Sequence, residues 1–243
     1  MKRTRELACA VGLSLCLPAG LAAAAEPEDW QFELAPYLWL MGIDGDISTG
    51  ALDYSASASF SDIVDQAKYG AQFILEANRG RWVNFVQIDY GVLESDDITG
   101  PLGLADVEAE VASALGTIAT GYRAPLGQNH SIDLMVGVRF AGFEVDIDNS
   151  LLGSSTDQEE VFDAIVMVRP RVVLSENWTL MPSASIGTGD SDLTWELFPE
   201  IIYHPGDLNF RLGYRDLNYE FEQGDLEVDI QMPGLVVGVG FVF

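Results

Sequence analysis

The chain has 243 residues, a formal net charge of −26 and a hydrophobic share of 48%. The acidic balance excludes nucleic acid as a partner, because phosphate binding requires a basic surface. The hydrophobic share is too high for a disordered acidic chain, so the sequence predicts a folded protein.

The first 25 residues have the pattern of a secretory signal peptide. The basic segment MKRTRE is followed by the apolar segment LACAVGLSLCLPAGLA and by the small-residue site Ala23-x-Ala25. Pro18 and Gly20 interrupt the apolar segment, which disfavours a membrane-spanning anchor of about 20 residues. We expect cleavage after Ala25, export to the periplasm, and one mature domain over residues 26–243.

Both cysteines, Cys9 and Cys16, lie in this signal. The bulky Leu15 fits a lipoprotein cleavage site poorly, so we do not expect Cys16 to carry a lipid. The mature chain then has no disulfide to stabilise it. Because the signal carries a net charge of +2, its removal changes the net charge from −26 to −28.

Alternation of apolar and polar residues runs through the rest of the chain. In SIDLMVGVRF, for example, one set is Ile132, Leu134, Val136, Val138 and Phe140, and the other is Asp133, Met135, Gly137, Arg139 and Ala141. Residues two apart lie on the same face of a strand. No stretch after the signal has the apolar length of a membrane helix. The pattern predicts strands with one apolar face and one mixed, charged face.

Ten such strands are predicted, at residues 30–43, 68–79, 81–94, 105–123, 130–147, 160–175, 177–189, 192–203, 207–222 and 225–243. The connections RGR, APLGQN, SEN and HPGD are short, whereas those around 95–104 and 148–159 are longer and acidic. Short turns on one side with longer loops on the other are typical of outer-membrane barrels, and an even strand number returns both termini to one side. The sequence therefore predicts an all-β fold, a closed antiparallel transmembrane β-barrel of about ten strands.

Two other strand counts stay open. Eight strands would require two of the ten to merge, and twelve would require the segment 46–67 to contribute a hairpin. Within that segment, FSDIVDQA resembles one or two helical turns with Ser59 or Ser61 as the N-cap. We interpret the segment as a long surface loop, with a plug in the barrel lumen as the alternative.

The alternation reverses at three places, near Gly142, near Arg215-Asp216 and at Pro233-Gly234. Proline cannot donate a hydrogen bond to a neighbouring strand, and glycine tolerates bulge geometry. We therefore expect a β-bulge at Pro233-Gly234 and similar irregularities at the other two places, which would help the barrel to curve.

The last strand, LVVGVGFVF, resembles the C-terminal strand of bacterial outer-membrane β-barrel proteins. Such strands alternate apolar residues and end in an aromatic, as Leu235, Val237, Val239, Phe241 and Phe243 do here. The resemblance implies that the barrel-assembly machinery reads these five positions as an assembly signal. We expect Phe241 and Phe243 to face lipid at the periplasmic interface, where aromatic girdles lie.

A narrower resemblance covers about the first hundred residues. The segments PYLWLMGIDGDI, FSDIVD and EANRGRW are similar to an uncharacterised group of proteobacterial outer-membrane proteins. This resemblance implies the outer membrane as the location and a barrel as the fold, and it supplies no chemistry.

Charged residues of the non-apolar face are predicted to point into the lumen. The predicted lumen residues are Arg139, Arg169, Arg171, Arg211 and Arg215, with Glu33, Glu76, Asp89, Asp133, Asp163, Glu196 and Glu200 as partners. A barrel of this size is narrow and is largely filled by side chains. The charges could form a structural network, or they could line a thin, selective pore. The sequence leaves both readings open.

Acidic residues concentrate at the strand ends opposite the short turns. We name them the acidic crown: Glu94, Asp96, Asp97, Asp106, Glu108, Glu110, Glu144, Asp146, Asp148, Asp157, Glu159, Glu160, Asp190, Asp192, Glu220, Glu222, Asp225 and Glu227. No motif indicates a dedicated metal site or cofactor. Calcium or magnesium bound loosely by these carboxylates could bridge the crown to lipopolysaccharide; the alternative is a charged, solvated surface.

An enzymatic role is disfavoured. Outer-membrane barrel enzymes use histidine beside serine or aspartate, and general acid–base catalysis near neutral pH commonly needs such a residue. His130 and His204 are the only histidines, and both lie at predicted periplasmic turns. No G-x-S-x-G motif or His/Cys cluster is present.

The sequence therefore predicts an outer-membrane barrel with a non-enzymatic, structural or surface-interaction role. A narrow, low-conductance channel is the alternative, and an enzyme is the second alternative. The expected partners are outer-membrane lipid, lipopolysaccharide and the assembly machinery. The oligomeric state and any transported solute are left open.

Overall fold

A computed structural model describes residues 29–49, 52–99, 106–149, 153–223 and 226–243. The predicted signal peptide at 1–25 lies outside the described residues. Over the described ranges, no helix combines the length and the apolar character needed to cross a bilayer.

The described residues form fourteen strands and one short helix. They are β1 (Gln31–Met41), β2 (Ile43–Thr49), β3 (Leu52–Ala58), α1 (Phe60–Gln66), β4 (Ala67–Arg79), β5 (Trp82–Thr99), β6 (Asp106–Leu126), β7 (His130–Asn149), β8 (Gly153–Ser175), β9 (Trp178–Leu180), β10 (Ser183–Gly189), β11 (Leu193–Phe198), β12 (Glu200–Tyr203), β13 (Leu208–Gln223) and β14 (Leu226–Val242).

Ten of these strands close into an antiparallel barrel, in the order β1, β4, β5, β6, β7, β8, β10, β11, β13, β14 and back to β1. The short strands β9 and β12 pair with each other and continue the paths of β10 and β11 toward the end of the barrel that carries the short turns. The predicted closed barrel of ten strands is confirmed.

The first strand begins, and the last strand ends, at the end of the barrel that carries the short turns. Gly80 and Gly127 occupy two of these turns with φ of 58° and 81°, a left-handed conformation that glycine adopts without strain. Phe32 and Phe243 exchange two backbone hydrogen bonds of 2.9 and 3.0 Å. Strand β14 is joined to β1 from Gly234 to Val242 and to β2 from Leu226 to Gln231, and no edge of β14 is left open there.

At the opposite end, strands cover the described parts of the longer loops that were expected around 95–104 and 148–159, with one register shift between Ser95 and Ile98. Strand β5 continues to Thr99 and β6 begins at Asp106, while β7 pairs with β8 up to Asn149 opposite Gly153. The prediction of long loops was wrong because sheet pairing does not stop where the membrane-type alternation ends.

The three predicted irregularities are also absent. Pairing of β13 with β14 runs without a register shift from Leu208 opposite Phe241 to Gln223 opposite Leu226, and β7 is equally regular near Gly142. From Pro233 and Gly234 toward the short-turn end, the outward residues of β14 are apolar. Toward the opposite end, Gln231, Asp229 and Glu227 face outward and Met232 faces the lumen. The reversal marks the height at which the surroundings change from lipid to water.

The segment 46–67 forms strands and a helix that lie outside the closed ring of ten strands. Strand β2 pairs with β14 from Asp44 to Thr49, and β3 pairs back onto β2. Helix α1 then returns the chain to β4, and Ser59 is its N-cap, as one of the two predicted candidates. The hairpin of the twelve-strand alternative thus exists as β2 and β3. It lengthens the wall at the outer end and does not add two strands to the closed ring.

Candidate functional site: the barrel interior

The predicted charged residues meet inside the barrel, because each shares the inward parity of its strand. Arg139 lies on β7, Arg169 and Arg171 on β8, Glu196 on β11, Glu200 on β12, and Arg211 and Arg215 on β13. All are buried except Arg171, whose side chain is 24% exposed. Few soluble proteins bury so many charges, and each requires partners.

An inner cluster lies near the short turns. Arg169 donates to Glu76 (Nη1 to Oε1, 2.7 Å) and reaches Asp133 (Nη2 to Oδ2, 3.1 Å). Arg211 Nη2 lies 3.3 Å from the same Glu76 oxygen, so one carboxylate serves two guanidinium groups. These contacts join β4, β7, β8 and β13 across the lumen.

Further acids complete the inner cluster. Arg211 lies 3.1 Å from Glu33 Oε1 and 3.6 Å from Glu200 Oε2. Arg171 is held weakly, with Nη2 at 3.9 Å from Glu76 Oε2. Gly240 provides space for this arrangement, because a Cβ there would lie 2.5 Å from Glu33 Oε1.

An outer cluster lies farther along the lumen. Arg215 donates to Asp89 (Nη1 to Oδ2, 2.6 Å) and to Glu196 (Nε to Oε2, 2.8 Å), and its guanidinium stacks 4.1 Å above the Trp39 ring. Tyr37 donates its hydroxyl to Asp89 Oδ1 at 2.5 Å. Five side chains from four strands, β1, β5, β11 and β13, therefore converge on one point.

Arg139 belongs to the same layer and is held mainly by neutral groups. It donates to Thr194 Oγ1 at 2.9 Å and to Ser185 Oγ at 2.6 Å, and it lies 3.7 Å from Glu196. Asp163, a predicted arginine partner, instead accepts hydrogen bonds from the backbone and hydroxyl of Ser191. It therefore anchors the turn between β10 and β11.

An apolar layer separates the two clusters along the strands. Its side chains are buried and belong to one hydrophobic cluster: Ile74, Phe85, Met135, Met167 and Phe198. Arg169 lies 5.2 Å from the centre of the Phe85 ring. The lumen is therefore filled at two charged levels with hydrophobic packing between them.

A vestibule of about 260 Å³ opens at the short-turn end and stops at the inner cluster. Its wall includes Glu33, Arg171, His204 and Arg123, and Arg123 binds Asp133 with two hydrogen bonds of 2.6 and 2.9 Å. The Arg123 pairing was missed from the sequence because its position at a turn hid its inward direction. Tyr37, Gln87 and Trp39 were missed because polar partners were sought among charged residues.

The C-terminal strand presents its alternating residues as expected from its pattern. Leu235, Val237 and Phe241 are exposed on the outer surface, and Phe243 is 70% exposed. The Phe243 ring stacks on Phe32 with the ring centres 5.8 Å apart. Recognition of this strand by the assembly machinery stays a prediction.

No protein-family model and no curated protein matches the chain. Among solved structures, the outer membrane protease OmpT from Escherichia coli is similar over 91% of this chain and 99% of that chain, with a TM-score of 0.54 and 7% identity. The chain folds as a bacterial outer-membrane β-barrel. The exposed apolar band around its wall agrees with this likeness and places the barrel in the outer membrane.

Two further barrels are more distant. The attachment invasion locus protein Ail of Yersinia pestis has a TM-score of 0.39 and 8% identity, over 89% of this chain and 99% of that one. The outer membrane protein OprG of Pseudomonas aeruginosa has a TM-score of 0.37 and 12% identity, over 89% and 97%. At such identities the likeness concerns the fold alone.

Both histidines of the barrel lie at its short-turn end and have partners. His130 Nδ1 accepts the Val173 N–H at 3.2 Å. His204 lies between Asn209 Oδ1 at 2.6 Å and Thr179 Oγ1 at 3.2 Å, so its Nδ1 can donate to the Asn209 amide oxygen. Neither histidine is near the acidic crown.

Part of the acidic crown lies on described side chains: Glu94, Glu110, Glu144, Glu159, Glu160, Asp190, Asp192, Glu220, Glu222 and Glu227. The side chains of Asp96, Asp97, Asp106, Glu108, Asp146, Asp148, Asp157 and Asp225 lie outside the described residues. Lys68 bridges Glu94 and Glu110 at 3.0 and 2.8 Å. Among the groups that are described, no three acids or histidines are arranged to hold a metal ion.

Proposed function

We propose that this barrel is a sealed, non-enzymatic outer-membrane protein with a structural or surface-interaction role. The observation that supports it is the filled lumen, where Arg169, Arg211 and Arg215 each bridge carboxylates from different strands. Solute passage would require these contacts to break, which would leave buried charges unpaired.

The outer rim is the proposed interaction surface. Its acids face water above the lipid band, where a dense negative field attracts cations and repels other anions. Calcium or magnesium held loosely by crown carboxylates would link the rim to lipopolysaccharide phosphates. A sealed barrel that offers such a rim would act through what it binds outside, not through what it conducts.

A narrow channel is the second candidate function. The vestibule already reaches Arg171 and Glu76, and two nitrogens of Arg211, Nε and Nη1, have no protein hydrogen-bond partner. Waters at such atoms would give a thin polar path past the inner cluster. An enzymatic function has less support, because both histidines lie away from the rim and are held by neighbouring groups.

Single-channel conductance of the refolded mature chain in a planar bilayer tests the two candidates. Folding is first confirmed by the heat-dependent shift in gel mobility. We expect the native barrel to be silent and Arg211→Ala to show openings, since that change removes the group that ties Glu33, Glu76 and Glu200 together. Discrete, cation-selective steps from the native protein would overturn the sealed-barrel proposal.

A further inference from the structure

The wall of the barrel has an incomplete seam between β1 and β4. Their ladder runs from Gln31 opposite Asn78 to Pro36 opposite Phe73 and then ends. Proline has no N–H with which to continue it. Farther out, the Trp39 N–H donates to the side chain of Gln72 at 2.6 Å, not to the backbone of β4. The two strands are thus held apart by a side chain.

Helix α1 lies across this seam on the outside of the barrel. On β5, Tyr90 and Val92 share the outward parity of Trp82, yet Val92 is only 1% exposed. Helix α1 contacts β5, and its residues Phe60, Ile63 and Val64 share a groove with Val92. The spacing of these three helix residues places them on one face. The helix therefore borders the groove with its apolar side, which stays partly open, since Phe60 is 38% and Val64 49% exposed.

The groove beneath α1 has a volume of about 330 Å³, and its lining is mostly apolar. Leu38, which is 66% exposed, and Leu40 form its β1 side, while Tyr69 and Tyr90 form the other. Tyr69 lies ten residues along β4 from the turn at Arg79. At a rise of about 2.5 Å per tilted residue this is about 25 Å, the height of the apolar band of such barrels. The groove therefore opens where hydrocarbon meets headgroups.

Charge at the outer end of the groove indicates which headgroup fits. Lys68 follows the lining residue Ala67, and Glu94 follows the lining residue Leu93. Lys68 is shared by two carboxylates, Glu94 and Glu110, so the group carries one excess negative charge. An ammonium headgroup is attracted to this charge, whereas a phosphate-rich or anionic headgroup is repelled.

We propose that the groove is a lipid site that binds one acyl chain of phosphatidylethanolamine under α1, with its ammonium beside Glu94 and Glu110. The proposal is independent of whether the lumen conducts. The occupant is a hydrocarbon chain because the groove opens on the face that contacts lipid and its lining is mostly apolar. The Gln72 amide oxygen, which also belongs to the lining, is already bonded to β1. The bound acyl chain then fills the gap between β1 and β4 beyond the point where their backbone pairing ends.

Native mass spectrometry of the refolded chain tests this proposal. The barrel is refolded with vesicles of equal phosphatidylethanolamine and phosphatidylglycerol, and separately with purified lipopolysaccharide, and is then released in mild detergent. Ile63→Trp fills the groove, and Val64→Trp is the second variant if the first does not fold. Val136→Trp, on the exposed outer face of β7, is the matched control. Gel mobility confirms folding of each.

We expect one phosphatidylethanolamine on the native chain and on Val136→Trp, and about tenfold less on Ile63→Trp, because a loss of only two buried methylenes has that effect. Glu94→Gln with Glu110→Gln should shift the preference toward phosphatidylglycerol. Equal retention by the three proteins would overturn the proposal. So would a preference of the native chain for phosphatidylglycerol or lipopolysaccharide, or a dimer that Ile63→Trp abolishes without any lipid bound.

Discussion

Three buried arginines in this barrel, Arg169, Arg211 and Arg215, each compensate more than one acid. Arg215 binds Asp89 and Glu196 through different nitrogens, and Arg169 binds Glu76 and Asp133 in the same way. The planar guanidinium offers five donors in a fixed fork, which lysine does not. Removal of one arginine therefore weakens the compensation of two carboxylates at once. Without Arg215, for example, Asp89 loses its described ion pair and Glu196 keeps Arg139 at 3.7 Å.

We expect Arg215→Ala to destabilise the barrel by roughly 3–5 kcal/mol, since breaking a buried pair costs more than the pair contributes. The measurement is the temperature at which the folded band is lost in heat-dependent gel mobility. Arg81→Ala is the control, because Arg81 is exposed and bonds only to the Tyr122 hydroxyl among its described hydrogen bonds.

A second comparison separates charge from packing. Arg215→Met combined with Asp89→Asn and Glu196→Gln removes all three charges and keeps similar volumes, and it should recover most of the lost thermal resistance. If Arg215→Ala loses its folded band at the same temperature as the native protein, Arg215 does not hold the outer cluster together.

The stability of two elements, the last strand and α1, depends on the contacts at their ends. Strand β14 completes the ring through hydrogen bonds that reach Phe243, its final residue. Helix α1 has seven residues and no buried side chain, so its cap contributes much of its order. Changes at these ends should therefore act on whole elements.

Deletion of Phe243 should lower the amount of folded barrel in the outer membrane. It removes the two backbone bonds to Phe32 and the ring that stacks on it. Outer-membrane fractions analysed by heat-dependent mobility measure the effect. Phe243→Tyr, which retains an aromatic terminus, should assemble normally. Native levels after the deletion would contradict the assembly role assigned to this residue.

The order of α1 should depend on pH through Asp62. The Asp62 carboxylate accepts hydrogen bonds from the Ser59 hydroxyl at 2.6 Å and the Ser59 N–H at 2.8 Å, and these bonds lower the pKa of Asp62. Because the folded pKa is depressed, the stabilisation is present at neutral pH and is lost as pH falls through that value.

A nitroxide on Gln66→Cys reports this change, since the mature chain contains no other cysteine. The label should become more mobile as the pH falls from about 7 to below the ordinary aspartate pKa of about 3.9, because the cap carboxylate protonates only below that value. With Ser59→Ala, the label should be mobile at both values. A label that is equally immobile in both proteins at all pH values would show that packing, not the cap, orders α1.

The whole molecule is a membrane-spanning ring that continues as a sheet above the membrane. The apolar outer band ends near Gly142 and Gly234, yet β7, β8, β13 and β14 keep their register beyond it. Above that height the apolar side chains turn inward, as Met232 and Phe143 do. The outer extension is thus a water-exposed structure built on the barrel.

Shortening the outer extension should leave the ring intact. Residues 145–157 can be replaced by Asn-Gly, because Glu144 pairs with Gln158 and a two-residue turn can close that hairpin. We expect a melting temperature close to that of the native barrel and a reduced negative charge. A large loss of thermal resistance would show that the extension supports the ring.

The sequence by itself determined the ring and the residues that fill it. Alternation with period two assigned Leu134 outward and Arg139 inward, and turn lengths gave ten strands, because a lipid-facing wall admits few alternatives. The inward direction of Glu196, Glu200 and the arginines follows from the same parity.

Only the tertiary structure decided which charges pair and where the membrane ends. Parity gives a direction but no height, so it could not show that Asp163 anchors Ser191 while Asp89 reaches Arg215. Reversed alternation at Pro233-Gly234 fits a β-bulge and a change from lipid to water equally well. The unbroken register of β13 and β14 shows that the change of surroundings is the cause. The seam under α1 was equally hidden, since it arises from contacts between strands that no local pattern records.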